Sequence, residues 1–230
     1  MSDETGTPVL HTRTTRPDDL PAKYPELDAH SVKWLRVTRA DVAAFDKTLE
    51  AAEDERPLQR HLGQNPMLLV THLGGGQGRF VLPQFSLDGR YVADFMIAEG
   101  DSDGLHWTLV ELESPRVRLF TGTGVPRKEL AKGLQQVSDW RRHIQDNLDH
   151  ARKPRTRGGL GLVDIEAEPP GIVVIGRERD LTDEDRERRK AVRRERGIAV
   201  HSYDWLAREA SARRSEMEAS AARTAKAEPS

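Results

Sequence analysis

Two periodicities alternate along the chain. Val42, Phe45 and Leu49, then Leu58 and Leu62, recur at helical spacing. Thr38 or Asp41 can cap the first of these helices, and Pro57 divides the run in two near Glu55. A short strand is expected over residues 31–37, around Trp34. Pro66 then opens an apolar run, 67–73, that reads as a strand, and the glycine-rich residues 74–78 read as a turn. Two strands follow at 80–85 and 91–98. A turn rich in Asp, Ser and Gly over 99–106 leads to another strand at 106–113. The clearest helix covers 128–150, where Leu130, Leu134, Val137, Ile144 and Leu148 form one apolar stripe. Residues 151–170 read as a long loop with room for a small hairpin. The β-branched run at 171–177 reads as a buried strand. A charged helix over 183–197 ends at Gly197, a last strand covers 198–203, and a last helix begins at Asp204.

This order predicts an α/β fold with a central mixed sheet flanked by helices. Residues 1–38 read as a flexible N-terminal extension, 39–208 as one domain, and 209–230 as a disordered or frayed tail. There is no internal repeat. A chain of 230 residues can bury a core without staples, but 36% hydrophobic and 32% charged residues make that core lean. Cysteine is absent, which excludes disulfides and thiolate metal sites. Any metal must sit on carboxylates or imidazoles, which favours Mg²⁺ or Mn²⁺. No apolar run is long enough to span a bilayer and no signal peptide is visible, so a cytoplasmic protein without membrane contact is expected. A net charge of −2 does not advertise nucleic acid, although Arg141, Arg142, Arg152, Lys153, Arg155 and Arg157 gather in one stretch. The glycines at 74–78 lack the lysine and helix of a P-loop. The histidines lack metal-ligand spacing, and no serine sits in a nucleophile elbow. The charged helix mixes both signs, as solvated helices do.

The distinctive chemistry lies in the strands at 91–98 and 106–113. Alternation puts Val92, Asp94 and Met96 on one face of the first, and Trp107, Leu109, Glu111 and Glu113 on one face of the second. A carboxylate amid apolar strand residues is costly unless paired or bound to metal. Paired residues of a hairpin have a constant midpoint. For Asp94 and Glu111 it falls between Ser102 and Asp103, at the centre of the turn, which places the two acids side by side. Directly opposed carboxylates repel, and a divalent cation between them removes the conflict. Such a site can bind phosphate and acidify a water, the chemistry of phosphodiester hydrolysis. The alternative is that both acids are edge residues facing solvent or arginines.

Several segments also share an order and spacing: 55–69, 91–98, 107–116, 133–147, 172–182 and 202–209. In this order they resemble the PD-(D/E)xK nuclease superfamily, and more closely the nuclease domain of Shedu anti-phage defence proteins. The resemblance implies a restriction-endonuclease-like three-layer sandwich, a metal-dependent DNA endonuclease and homo-oligomers. It implies that Asp94 and Glu111 bind Mg²⁺ or Mn²⁺, and that Glu55 completes the metal shell. Gln136 matches a helix glutamine near the active site. Glu113 stands where the family usually carries a lysine that positions the attacking water. Lys132, one helical turn before Gln136, is a candidate for the missing cation. Glu55 reads equally well as a solvated helix residue, and Gln136 as an ordinary polar residue beside the apolar stripe. The alternative function is a catalytically degenerate module that binds DNA or a protein partner.

Overall fold

The computed structural model describes residues 20–33, 37–73 and 78–227. Five strands form one sheet in the order β1-β2-β3-β4-β5: Gly78–Leu87, Tyr91–Gly100, Leu105–Leu112, Gly171–Val174 and Ile198–His201. The first three are antiparallel, and β4 and β5 continue parallel to β3. Five longer helices accompany them: α1 Arg39–Ala51, α2 Arg56–Gln64, α3 Lys128–Asp146, α4 Asp183–Arg196 and α5 Tyr203–Ala227. The fold is therefore α/β with a mixed sheet, as expected.

Each sheet face carries its own core. Leu130, Leu134, Val137, Trp140 and Ile144 of α3 cover one face, against Leu82, Met96, Trp107, Leu109 and Val173. Phe45 and Leu49 of α1, Leu58 and Leu62 of α2, and Tyr203, Trp205 and Leu206 of α5 cover the other, against Phe95, Ile97, Val110, Leu112 and Val174. Strand β4 is buried on both sides, which is why 171–174 is uniformly apolar.

The helix ends follow their signals. Thr38 caps α1 and Asp41 reciprocates, so the two candidate caps act together as a capping box. Thr182 and Asp185 do the same for α4, which ends on Gly197 in the left-handed region. Pro57 lies in the first turn of α2, where its missing N–H costs nothing.

Four expectations need correction. Residues 67–73 are not a strand: Pro66–Leu69 form a 3-10 turn, and Leu68, Leu69 and Val70 are buried in the core with α1 and α2. A short apolar run does not distinguish strand from buried turn. The helix expected over 128–150 breaks at Asn147, and Leu148–Arg152 forms a separate turn of helix. Residues 151–170 contain no hairpin: the helical turn ends at Arg152, and a short 3-10 turn follows at Arg155–Arg157. The segment read as a frayed tail from residue 209 is helical as far as Ala227. Trp34, residues 74–77 of the glycine-rich turn and the first 19 residues of the N-terminal extension lie outside the described residues. Among the described residues, no helix is long and apolar enough to cross a membrane.

Candidate active site

The β2–β3 register pairs Gly100 with Leu105 and Phe95 with Val110. Continued by one rung, it sets Asp94 opposite Glu111, as the midpoint of the turn predicts. Both acids lie at the end of the ladder, where β3 runs on toward Glu113.

Alternation along β2 is broken at Asp94 itself. Met96 and Ala98 face α3, but so does Ala93, while Val92 is exposed. On β1, Phe80 and Leu82 face α3, and so do Phe85 and Leu87. The β1–β2 ladder pairs Pro83 with Phe95 and Phe85 with Ala93, and omits the rung between. At that rung Gln84 has a φ of +46°. A residue in the left-handed region flips the pleat. The expectation that Val92, Asp94 and Met96 share one face is therefore wrong. On β3 the alternation holds: Val110 and Leu112 join the core beneath α2, and Trp107 and Leu109 face α3. Glu113 packs against α3 at Gly133, where an added Cβ would meet Glu113 Cγ at 3.2 Å and Val173 Cγ1 at 3.0 Å. A side chain at that position would crowd both neighbours.

Asp94 is held from several sides. The Leu112 N–H donates to Oδ2 at 2.8 Å. Gln84 Nε2 donates to Oδ1 at 3.1 Å, and Gln59 Nε2 of α2 donates to the same oxygen. Glu111 is 4% exposed. Burial first, then the negative charges of Asp94 and Glu113, push its carboxyl up to about 9. Burial also raises Asp94, against the pull of the Leu112, Gln84 and Gln59 donors. Burial and like charge therefore favour one proton shared between Asp94 and Glu111 at neutral pH, weighted toward Glu111.

Glu113 is 3% exposed. Burial raises its carboxyl, Lys132 works against that rise, and the charges of Glu55 and Asp94 add to it. Lys132 Nζ lies 3.1 Å from Glu113 Oε1 and 3.3 Å from Oε2. Against the cost of its own partial burial, the lysine is held charged by Glu113. The cation that β3 lacks thus arrives from α3. Glu55, the residue before α2, is near enough to act electrostatically on Glu113 and Lys132. Gln136, one turn beyond Lys132, has a buried side-chain oxygen with no hydrogen-bond partner among the described residues. Tyr203, fully buried at the start of α5, donates its O–H to the Glu113 carbonyl at 2.8 Å.

The donor set is all carboxylate oxygen, which suits a hard divalent cation. Among the described residues, no three acids or histidines converge to hold a metal as the side chains stand. The Asp94 oxygens are taken by amide donors, and Glu111 carries a proton. In charge and donor type the pair fits a cation that replaces the shared proton.

A family model described as Shedu protein SduA, C-terminal, matches residues 52–207. The chain belongs to the Shedu family. Membership suggests involvement in anti-phage defence. No curated protein matches this Shedu chain by sequence. The matched span contains every acid of the site, from Glu55 to Glu113, together with Lys132 and Gln136. Sequence reasoning on this Shedu chain missed Gln59, Gln84 and Tyr203. Gln59 was discoverable, since it lies one helical turn beyond Glu55 on the helix that borders the site. Gln84 left no such trace, because its role depends on an irregular rung.

Proposed function

We propose that this Shedu chain is a metal-dependent endonuclease of restriction-endonuclease-like fold that hydrolyses DNA phosphodiester bonds in anti-phage defence. The observation that carries the reading is the buried Asp94–Glu111 pair beside the Lys132–Glu113 ion pair. Acids gathered this way raise one another's pKa at a cost in stability, a pattern typical of functional sites. Asp94 and Glu111 would hold Mg²⁺ or Mn²⁺, with Glu55 completing the shell. A bound divalent cation supplies charge for the phosphate and makes a water more acidic. The glutamines Gln59 and Gln84 fix the Asp94 carboxylate, so that it cannot swing toward Lys132. Glu113, raised by burial toward neutrality, is suited to accept a proton from the attacking water. Lys132 offers the positive charge that the usual lysine of the strand would supply. Gln136 offers a free acceptor to orient the water.

The second reading is a degenerate module that binds DNA or protein without cutting. Glu113 at the lysine position and the incomplete convergence of the acids favour it.

Cleavage of linear, supercoiled and single-stranded DNA with Mg²⁺, Mn²⁺ or EDTA separates the two. The nuclease reading expects metal-dependent cutting, reduced at least about a hundredfold in Asp94→Ala and Glu111→Ala with the fold intact. Equal cutting in both variants ends the assignment, and DNA binding without cutting establishes the degenerate module.

A further inference from the structure

A second charged feature lies at the sheet edge formed by β5. A groove of about 770 Å³ runs between α4 and Ala199, Val200 and His201 of that strand. In the N-terminal half of α4 the charges are matched. Arg186 pairs with Asp183 at 2.8 Å, Arg188 with Asp185 at 3.1 Å, and Lys190 with Glu187 at 2.6 Å. Two arginines of α4 are less well matched. Arg189 reaches only the far limit of an ion pair, 3.9 Å from Glu178. Arg193 of α4 and Arg208 of α5 are exposed and form no ion pair among the described residues. All three act electrostatically on His201, whose ring lies 3.8 Å from that of Trp205 at 15°. His72 packs against the same indole at 4.7 Å. Burial first, then Arg189, His72, Arg193 and Arg208, press His201 down to about 4. The imidazole is therefore neutral at pH 7 and leaves the surface charge to the arginines.

The helix dipole accounts for part of this arrangement. It favours Arg193 in the last turn of α4, but it gives no support to Arg208, which lies near the N-terminal end of α5. Cations from two helices converge on His201, while the acids nearby, Glu178 at 3.9 Å from Arg189 and Glu184 and Glu187 in the groove wall, leave Arg193 and Arg208 without an ion pair among the described residues. Position adds to the case. The register aligns Leu112, Val174 and His201 across three parallel strands. His201, at one end of the groove, thus ends its strand beside Val174 and Leu112, two strands or about 10 Å from β3. Ligands of open α/β sheets bind beyond these strand ends.

We propose that Arg189, Arg193 and Arg208 form a phosphate clamp that holds the DNA backbone flanking the bond at the acid site. The clamp rests on the nuclease reading for its substrate. Guanidinium forks match phosphate geometry, and contacts of this kind position a duplex without reading its sequence. The test is fluorescence anisotropy of a labelled DNA duplex in EDTA across a KCl series, with the full chain and with Arg193→Glu/Arg208→Glu. Both positions are exposed, so the melting midpoint of the variant should match that of the parent. Affinity at low salt should fall at least roughly tenfold, and the log–log salt slope should shrink by about 2. The same double reversal at exposed Lys47 and Arg90 should change neither. In cleavage assays KM should rise while kcat at saturating DNA is retained. Unchanged affinity and slope overturn the clamp even if cutting depends on Glu111. Lost affinity together with cutting that persists in Glu111→Ala keeps the clamp and discards the acid site. Unchanged DNA binding with altered light-scattering mass would assign the groove to contact between copies of the chain, and so also overturn it.

Discussion

Two charged clusters stand at the same end of the sheet, and they are built on opposite plans. In one, Arg177 is 6% exposed and meets Asp204 at 2.9 Å and Glu50 at 2.6 Å. Against the cost of its burial, the guanidinium holds the Asp204 carboxyl below its usual range, and Glu50 is lowered too. Against its own burial, Arg177 is raised by the same partners. Every member is driven toward its charged form, so the cluster fastens the loop after β4 to α1 and α5. The other cluster has three acids, Asp94, Glu111 and Glu113, and one partly exposed lysine. Its acids are all driven toward the neutral form. A balanced cluster holds the fold together. An unbalanced one works against it. The contrast separates buried charges that stabilise the fold from buried charges that cost it stability.

The largest effect should come from breaking the balanced cluster. Arg177→Ala removes the buried member and leaves the half-buried Asp204 without its ion-pair partner, and should cost about 3 kcal/mol in urea denaturation. A loss under about 1 kcal/mol would show that the network is a surface ornament.

The opposite sign is expected at Glu111. In the unfolded chain its carboxyl ionises near the ordinary value of 4.5, in the folded protein only near about 9. Its contribution to stability is therefore fully present below the ordinary value and falls as pH rises toward about 9. In EDTA, Glu111→Gln should match the parent at pH 4 and exceed it at pH 8 by about 2–4 kcal/mol. Parallel stability profiles across that range would refute the shared proton. Added Mg²⁺ should raise the melting midpoint of the parent at pH 8 and leave that of Glu111→Gln unchanged.

A smaller effect belongs to the amide pair. Gln59→Leu removes one donor from Asp94 and should cost about 1 kcal/mol. It should also weaken the stabilisation by Mg²⁺ without abolishing it. Identical behaviour to the parent would mean that Gln84 and the Leu112 N–H suffice to fix the carboxylate.

Much of this geometry was legible before any coordinates. The turn residues at 101–104 fixed the hairpin midpoint, and that alone set Asp94 against Glu111. Helical spacing put Lys132 within reach of the site, and the ammonium does meet Glu113. The face assignment of Asp94 failed because pleat parity assumes regular backbone, and Gln84 is not regular. The run 67–73 failed because burial and strand propensity share the same residues. Tyr203 was invisible for a third reason: its partner is a backbone carbonyl 90 residues away, and no pattern in the chain encodes that.

That hydrogen bond has a mechanical consequence. Tyr203 is the first residue of α5, a helix of 25 residues, and it grips the backbone of the acid that faces Lys132. Beyond it, Trp205, Leu206 and Ala210 are seated in the core with α1 and α2, and Arg213 donates to the Leu73 carbonyl at 2.6 Å. The phenol therefore ties a firmly seated helix to the main chain of Glu113, and a shift at the start of α5 would reach that acid directly.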